Sequence, residues 1–256
     1  MRITIIMLLK IIFILATVSL NSYVYAEKEY DAIEFRELNL SLIAAAKDGD
    51  INGVKQHLDE GASIKARNRF GNTALISATR AGALDIVKLL VERGAIVDMV
   101  NTNAETALMN AASRGYEDIV RYLIDKNANI NKLSVKNISA LMEAVFAGHE
   151  AIVKILLGLY ADVSVIDYSG KNALNYASAN GDVSIIKLLV EHGADLNIQT
   201  ENDLTSLMWA TGYGKTEAVK ALLQLGADKS LRDNRGLTAL MIAEENNYKE
   251  IIKLLK

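Results

Sequence analysis

Residues 68–100 read NRFGNTALISATRAGALDIVKLLVERGAIVDMV, and this stretch returns in altered form every 33 residues. Its Leu75 has counterparts at Leu42, Leu108, Leu141, Leu174, Leu207 and Leu240. Its Ala78 has counterparts at Ala45, Ala111, Ala144, Ala177, Ala210 and Ala243. A period held without an insertion marks one supersecondary unit stacked on copies of itself. Local chemistry predicts what that unit is. Gly71 is a turn residue, and the Thr73 hydroxyl can cap a helix. Leu75 and Ala78 share one face of this helix at i, i+3, and Gly82 ends it. A second helix follows in ALDIVKLLVERG, apolar at Ile86, Val87, Leu89 and Leu90 and charged at Asp85, Lys88, Glu92 and Arg93. Asp85 falls in its first turn and Arg93 in its last, as the helix dipole favours. Gly94 supplies a left-handed C-cap. Ala95 to Val100 is expected to run extended into the next turn. The predicted unit is turn, short inner helix, turn, longer outer helix and return.

These units resemble ankyrin repeats, on four slots that recur in phase. The Thr-x-Leu slot reads Thr73-Ala74-Leu75, Thr106-Ala107-Leu108, Ser139-Ala140-Leu141, Asn172-Ala173-Leu174, Thr205-Ser206-Leu207 and Thr238-Ala239-Leu240. The mid-unit glycine is Gly49, Gly82, Gly115, Gly148, Gly181 and Gly214, with Asn247 last. The ending is Gly61-Ala62, Gly94-Ala95, Asn127-Ala128, Tyr160-Ala161, Gly193-Ala194 and Gly226-Ala227. The resemblance implies an all-α ankyrin-repeat solenoid over 37–256, of stacked helix-turn-helix units with short hairpin fingers. Seven units would start near 37, 68, 101, 134, 167, 200 and 233. No such unit buries its apolar face alone, so stability comes from stacking. The first unit lacks a hairpin, and the last carries Glu244, Glu245, Asn246 and Asn247, as polar end caps require.

Departures from the family pattern carry information. Proline usually follows the slot threonine, but this chain has none, so other residues must set the turns. Asn127 and Asn247 adopt a left-handed backbone cheaply, whereas Tyr160 does not. The fourth unit has Ser134-Val135-Lys136-Asn137 where a turn glycine is expected. It is therefore expected to be the softest interior repeat.

Residues 1–26, MRITIIMLLKIIFILATVSLNSYVYA, have the pattern of a secretory signal peptide. Arg2 and Lys10 supply positive charge, Ile11 to Leu20 is an apolar run, and Val24 and Ala26 suit cleavage after Ala26. Lys10 leaves the apolar run short of the ~20 residues that span a bilayer, so no stable membrane span is expected after cleavage. Residues 27–36 form a charged lead-in, a short helix or a loose segment. The absence of cysteine suits an oxidising compartment and excludes disulfides and thiolate chemistry. Net charge is −3. Without Arg2 and Lys10 it becomes −5, with 26 basic against 31 acidic residues. Such a balance argues against broad phosphate-driven nucleic-acid binding, though it leaves room for a local basic patch.

Reactive constellations are not evident. Gly212-Tyr213-Gly214-Lys215-Thr216 looks like part of a phosphate loop, but Trp209 stands where the first glycine is needed and no strand precedes it. His57, His149 and His192 sit in different units, in turn or cap positions, without metal-ligand spacing. Met109, Met142, Met208 and Met241 share one slot and read as packing. Tyr176 and Trp209 share the next slot, as packing or as part of a binding surface. No catalytic residue, cofactor or metal site is expected, and the chain is read as no enzyme.

The family resemblance places partner contacts on hairpin tips and on the exposed, concave side of the inner helices. The candidates there are Arg69, Phe70, Arg80, Glu105, Arg114, Lys136, Phe146, Tyr168, Lys171, Tyr213 and Arg235. Aromatic and arginine side chains are the types enriched at interface hot spots. The sequence therefore predicts a monomeric, non-catalytic scaffold of the bacterial exported type, periplasmic or secreted, that binds a protein partner. Two alternatives share its fold: a secreted effector acting on a foreign or host-cell protein, and a stress-protection accessory of an exported enzyme.

Overall fold

The computed structural model describes residues 32–256. The signal peptide and cleavage after Ala26 lie outside the described residues. Helices follow one another in pairs: α1 (32–48) and α2 (Ile51–Asp59), α3 (Ala74–Ala81) and α4 (Leu84–Glu92), α5 (Ala107–Arg114) and α6 (Glu117–Asp125), α7 (Ala140–Phe146) and α8 (Glu150–Gly158). The series continues with α9 (Ala173–Asn180) and α10 (Val183–Glu191), α11 (Ser206–Gly212) and α12 (Thr216–Gln224), α13 (Ala239–Glu245) and α14 (Lys249–Leu255). Inner helices α3, α5, α7, α9, α11 and α13 pack in sequence, and outer helices α2 to α14 form a second row behind them. The lead-in is helical from residue 32 and continuous with the first inner helix.

The repeating slots are where the two rows meet. Leu42, Leu75, Leu108, Leu141, Leu174 and Leu207 are buried, as are Ala78, Ala111, Ala144, Ala177, Ala210 and Ala243. Each such leucine stabilises by about 1.5–3 kcal/mol, while alanine lets neighbouring inner helices close up. At the chain's two ends the rule relaxes: Ala45 and Leu240 are only partly buried. The methionine slot divides likewise. Met109, Met142 and Met208 are buried, but Met241 is exposed, with no further unit packed on it among the described residues.

Every inner helix after the first is capped by its slot residue. The side-chain oxygens of Thr73, Thr106, Ser139, Asn172, Thr205 and Thr238 accept from the backbone N–H three residues on, at 2.9–3.4 Å. Each cap is worth about 1 kcal/mol. Outer helices end differently. A residue with positive φ follows the helix, and the next alanine donates back across the turn, as Ala95 does to the Leu90 carbonyl at 2.9 Å. Tyr160 takes this conformation too, with φ 59. The return after Gly94 is not fully extended as expected: Met99 N–H donates to the Ile96 carbonyl at 3.2 Å, closing a turn. Six extended residues would travel about 20 Å, roughly twice the spacing of packed helices.

In five of the six hairpins the first residue sets the turn. Asn68 Oδ1 accepts from the N–H groups of Phe70 and Asn72 at 2.9 and 3.1 Å. Asn101, Ser134, Asp167 and Asp233 make the same pair of bonds in their own hairpins. In the fourth unit Asn137 takes the positive φ of the absent glycine, and in the third Ala104 does so at φ 56. The hairpin of the sixth unit is the irregular one. Thr200 donates its hydroxyl to the Leu204 carbonyl instead, and both Asn202 and Asp203 are left-handed within a short 3-10 turn, Glu201–Asp203.

A second rule links neighbouring units. The residue after one mid-unit glycine lies over the glycine of the unit before. A Cβ on Gly82 would stand 2.8 Å from Tyr116 Cζ, and one on Gly115 would stand 2.6 Å from His149 Cε1. The His149 ring thus packs on the backbone of Gly115. Lys215, which made the sequence look like a phosphate loop, lays its alkyl chain over Gly181.

Candidate interaction surface

Hairpin tips join into a continuous ridge. Thr102 N–H donates to the Phe70 carbonyl, Val135 to Asn103, Tyr168 to Lys136, Glu201 to Gly170 and Asn234 to Asn202, at 2.9–3.1 Å. The Gly170 bond is offset by one residue from the others, in step with the irregular hairpin of the sixth unit. The ridge fixes the tips against one another, so their side chains form a preorganised surface with the inner-helix face.

Eight of the candidate residues fall into three places on that surface. Phe70, Arg80 and Arg114 come together, lining one groove of about 740 Å³ with Leu40, Ile43 and Lys47. Arg69 lies beside it, its guanidinium 4.6 Å from the Phe70 ring centroid. In the middle of the array, Phe146 meets Tyr176 edge-on at 5.5 Å and Tyr213 stacks on Trp209 at 6.0 Å. Phe146 and Tyr213 remain 62% and 59% exposed, so this row is only half used by internal packing. Tyr168 and Lys136 stand exposed on neighbouring tips. Arg235 is apart from all of these, on the last hairpin.

Three candidates are engaged inside the protein. Glu105 is half-buried and accepts from Asn101 Nδ2 at 2.7 Å. Lys171 bonds Ser169 Oγ and Glu201 Oε2, with its Nζ 5.0 Å from the Trp209 ring centroid. Arg235 pairs with the buried Asp233 through Nε and Nη2 at 2.9 and 2.7 Å. Beneath the aromatic row, the Tyr176 hydroxyl donates to Asp167. Burial, and then this bond, push the Tyr176 hydroxyl up to about 12. Burial alone would raise the Asp167 carboxyl, but the Tyr176 hydroxyl and the Lys171 and Ser169 donors outweigh it and hold it low. Glu143 lines a small hollow with Ile138, Met142, Phe146 and Tyr176. Burial raises its carboxyl despite a hydrogen bond from Ser113, and the nearby Glu105 charge adds to the rise. Trp209 Nε1 is buried without an acceptor among the described residues.

Sequence reasoning missed Lys47, Leu40 and Ile43, which belong to the first helix and complete the groove. It also missed Asn68, Asp167 and Asp233 as the residues that shape the tips. Their recurrence at the first position of each unit was the available signal. Among the described residues no cluster of three histidine, aspartate or glutamate side chains is placed to hold a metal ion, and no helix is long and apolar enough to cross a membrane.

A family model described as Ankyrin repeats (3 copies) matches residues 42–134, 132–200 and 193–256. The chain belongs to the ankyrin repeat family. Among solved structures it is similar to the crystal structure of the ankyrin repeat domain of Bcl-3, described as a unique member of the IkappaB protein family. That likeness has 27% identity and a TM-score of 0.71, and covers 83% of this chain and 97% of the other. No curated protein matches. Ankyrin repeats are protein-interaction scaffolds, consistent with non-catalytic binding.

Proposed function

We propose that this ankyrin array is an exported, non-catalytic scaffold that holds one protein partner on its concave face. The observation that carries the reading is a set of side chains left to solvent on one side of a rigid ridge. Phe70, Phe146, Tyr168 and Tyr213 are 54%, 62%, 80% and 59% exposed, while the slots that repeat are spent on packing. A typical interface takes ~800 Å² per partner, which three or four units can present. Export rests on the signal-peptide pattern of residues 1–26. The mechanism is complementarity of shape and charge over several units, with no reaction on the array. Alanine at Phe70, Arg80, Arg114, Phe146, Tyr168 and Tyr213 together tests it. Pull-down from the periplasm and from the medium should recover a partner with the parent chain and lose it with the variant. Unchanged recovery would sink the concave-face reading, and a chain found only in the cytoplasm would sink export.

A further inference from the structure

The first part of the concave face is charged in one sense. The groove between α1, α3 and the first two hairpins presents Lys47, Arg80 and Arg114 and no carboxylate. The adjoining hollow adds Arg36, Arg67 and Arg69, again with no carboxylate. Six lining cations and no lining acid make a strong segregation in a chain with 28 basic and 31 acidic residues; Glu105 reaches only the rim, where Asn101 and Asn103 donate to its carboxylate. The exposed acids of this end, Glu34, Glu37, Asp48 and Asp50, line neither hollow.

Most of these cations are unspent. Arg67 bonds the Gly71 and Val100 carbonyls, and Arg69 lies over Phe70. Ion pairs to Lys or Arg among the described residues use other groups: Arg93, Arg121, Lys154, Lys171, Arg235 and Lys253. Lys47, Arg80 and Arg114 are exposed, with no ion-pair partner among the described residues. Between them the groove has an apolar floor of Leu40, Ile43 and Ala44 and an exposed Phe70 as its wall.

From this we infer that the groove docks an acidic peptide segment of the partner, with carboxylates on Lys47, Arg80 and Arg114 and an apolar side chain on Leu40, Ile43 and Phe70. The inference rests on the concave-face reading and specifies its partner. Charge complementarity selects the sign of the ligand, and the guanidinium fork suits a carboxylate. The apolar floor selects a peptide over a nucleic acid, which asks for a track of cations interleaved with several stacking aromatics. A volume of about 740 Å³ is in the range of preformed ligand clefts.

Fluorescence anisotropy with the full chain tests this. The probe is a labelled peptide of alternating glutamate, leucine and phenylalanine, set against the same peptide with lysine for glutamate. The acidic peptide should bind, the lysine peptide should not, and affinity should fall as salt rises. Lys47→Glu, Arg80→Glu and Arg114→Glu together should weaken binding on the order of 100-fold. Arg80→Lys with Arg114→Lys should keep most of it, and helix circular dichroism should show both variants folded. Four results would overturn the inference: no preference for the acidic peptide, binding indifferent to charge reversal, tighter binding of single-stranded DNA of equal charge, or self-association that charge reversal abolishes. The concave-face reading fails or stands separately, on alanine at Phe146, Tyr168 and Tyr213.

Discussion

Tyr160 occupies the position that Gly61, Gly94, Gly193 and Gly226 hold in other units, at φ 59. It completes the same helix ending, with Ala161 N–H donating to the Leu156 carbonyl at 3.0 Å. A side chain in the left-handed region costs about 1–2 kcal/mol. The Tyr160 side chain is 90% exposed, so its removal loses almost no packing. Glycine takes back about 0.5–1 kcal/mol through the freedom it gives the unfolded chain. Tyr160→Gly should therefore stabilise by about 0.5–1 kcal/mol, or raise Tm by about 1–4 °C in a domain of this size. Tyr160→Ala keeps the β-carbon and should change stability by less than about 0.5 kcal/mol. Urea unfolding followed by circular dichroism measures both, provided the slopes agree. Hydrogen exchange from Leu156 to Ala161 reports the same strain locally, and should find the fourth unit less protected than the third and fifth. A glycine variant no more stable than the alanine variant would refute the assignment of strain to residue 160.

Three further outcomes are expected. Thr200→Asp should supply the acceptor that shapes the other hairpins, stabilise by about 1 kcal/mol and return Asn202 to negative φ; a crystal structure with the 3-10 turn unchanged would contradict it. Gly115→Ala places a Cβ 2.6 Å from His149 Cε1 at φ 78 and should cost about 2–4 kcal/mol, against about 1 kcal/mol for Gly94→Ala, which meets nothing. Adding His149→Ala should recover part of the Gly115→Ala loss in a double-mutant cycle, and simple additivity would disprove the contact. Glu143 has a raised carboxyl, so its contribution falls as pH rises from the unfolded value through the higher folded one. Glu143→Gln should thus be more stable than the parent at pH 7, with the gain gone below about pH 4; a gain that persists in acid would remove burial as the cause.

Much of the fold was legible because the residues that build it repeat. Leucine, alanine, the capping hydroxyl and the glycines each mark a buried or backbone-determined place, and stacking makes every copy obey the same constraint. Ala104 was not legible, since an alanine gives no sign that its backbone is left-handed until the hairpin around it is seen. Met241 misled for the opposite reason: it keeps the slot, but the slot packs only when another unit follows. The interaction surface was partly legible. Phe70, Phe146, Tyr168 and Tyr213 stood out as apolar residues without a slot. The groove did not, because Lys47 and Leu40 belong to a different unit from Arg80 and Arg114, and only the stack brings them to one place. Glu105, Lys171 and Arg235 looked free in sequence but have internal partners that the hairpin turns deliver to them.

Hydrogen exchange of the full chain with and without its bound partner tests most directly whether the array holds that partner on its concave face. Slowed exchange at the hairpin tips and along α3, α5, α7, α9 and α11, with α4, α6, α8, α10 and α12 unchanged, is the predicted result. Protection concentrated on the outer helices would contradict it.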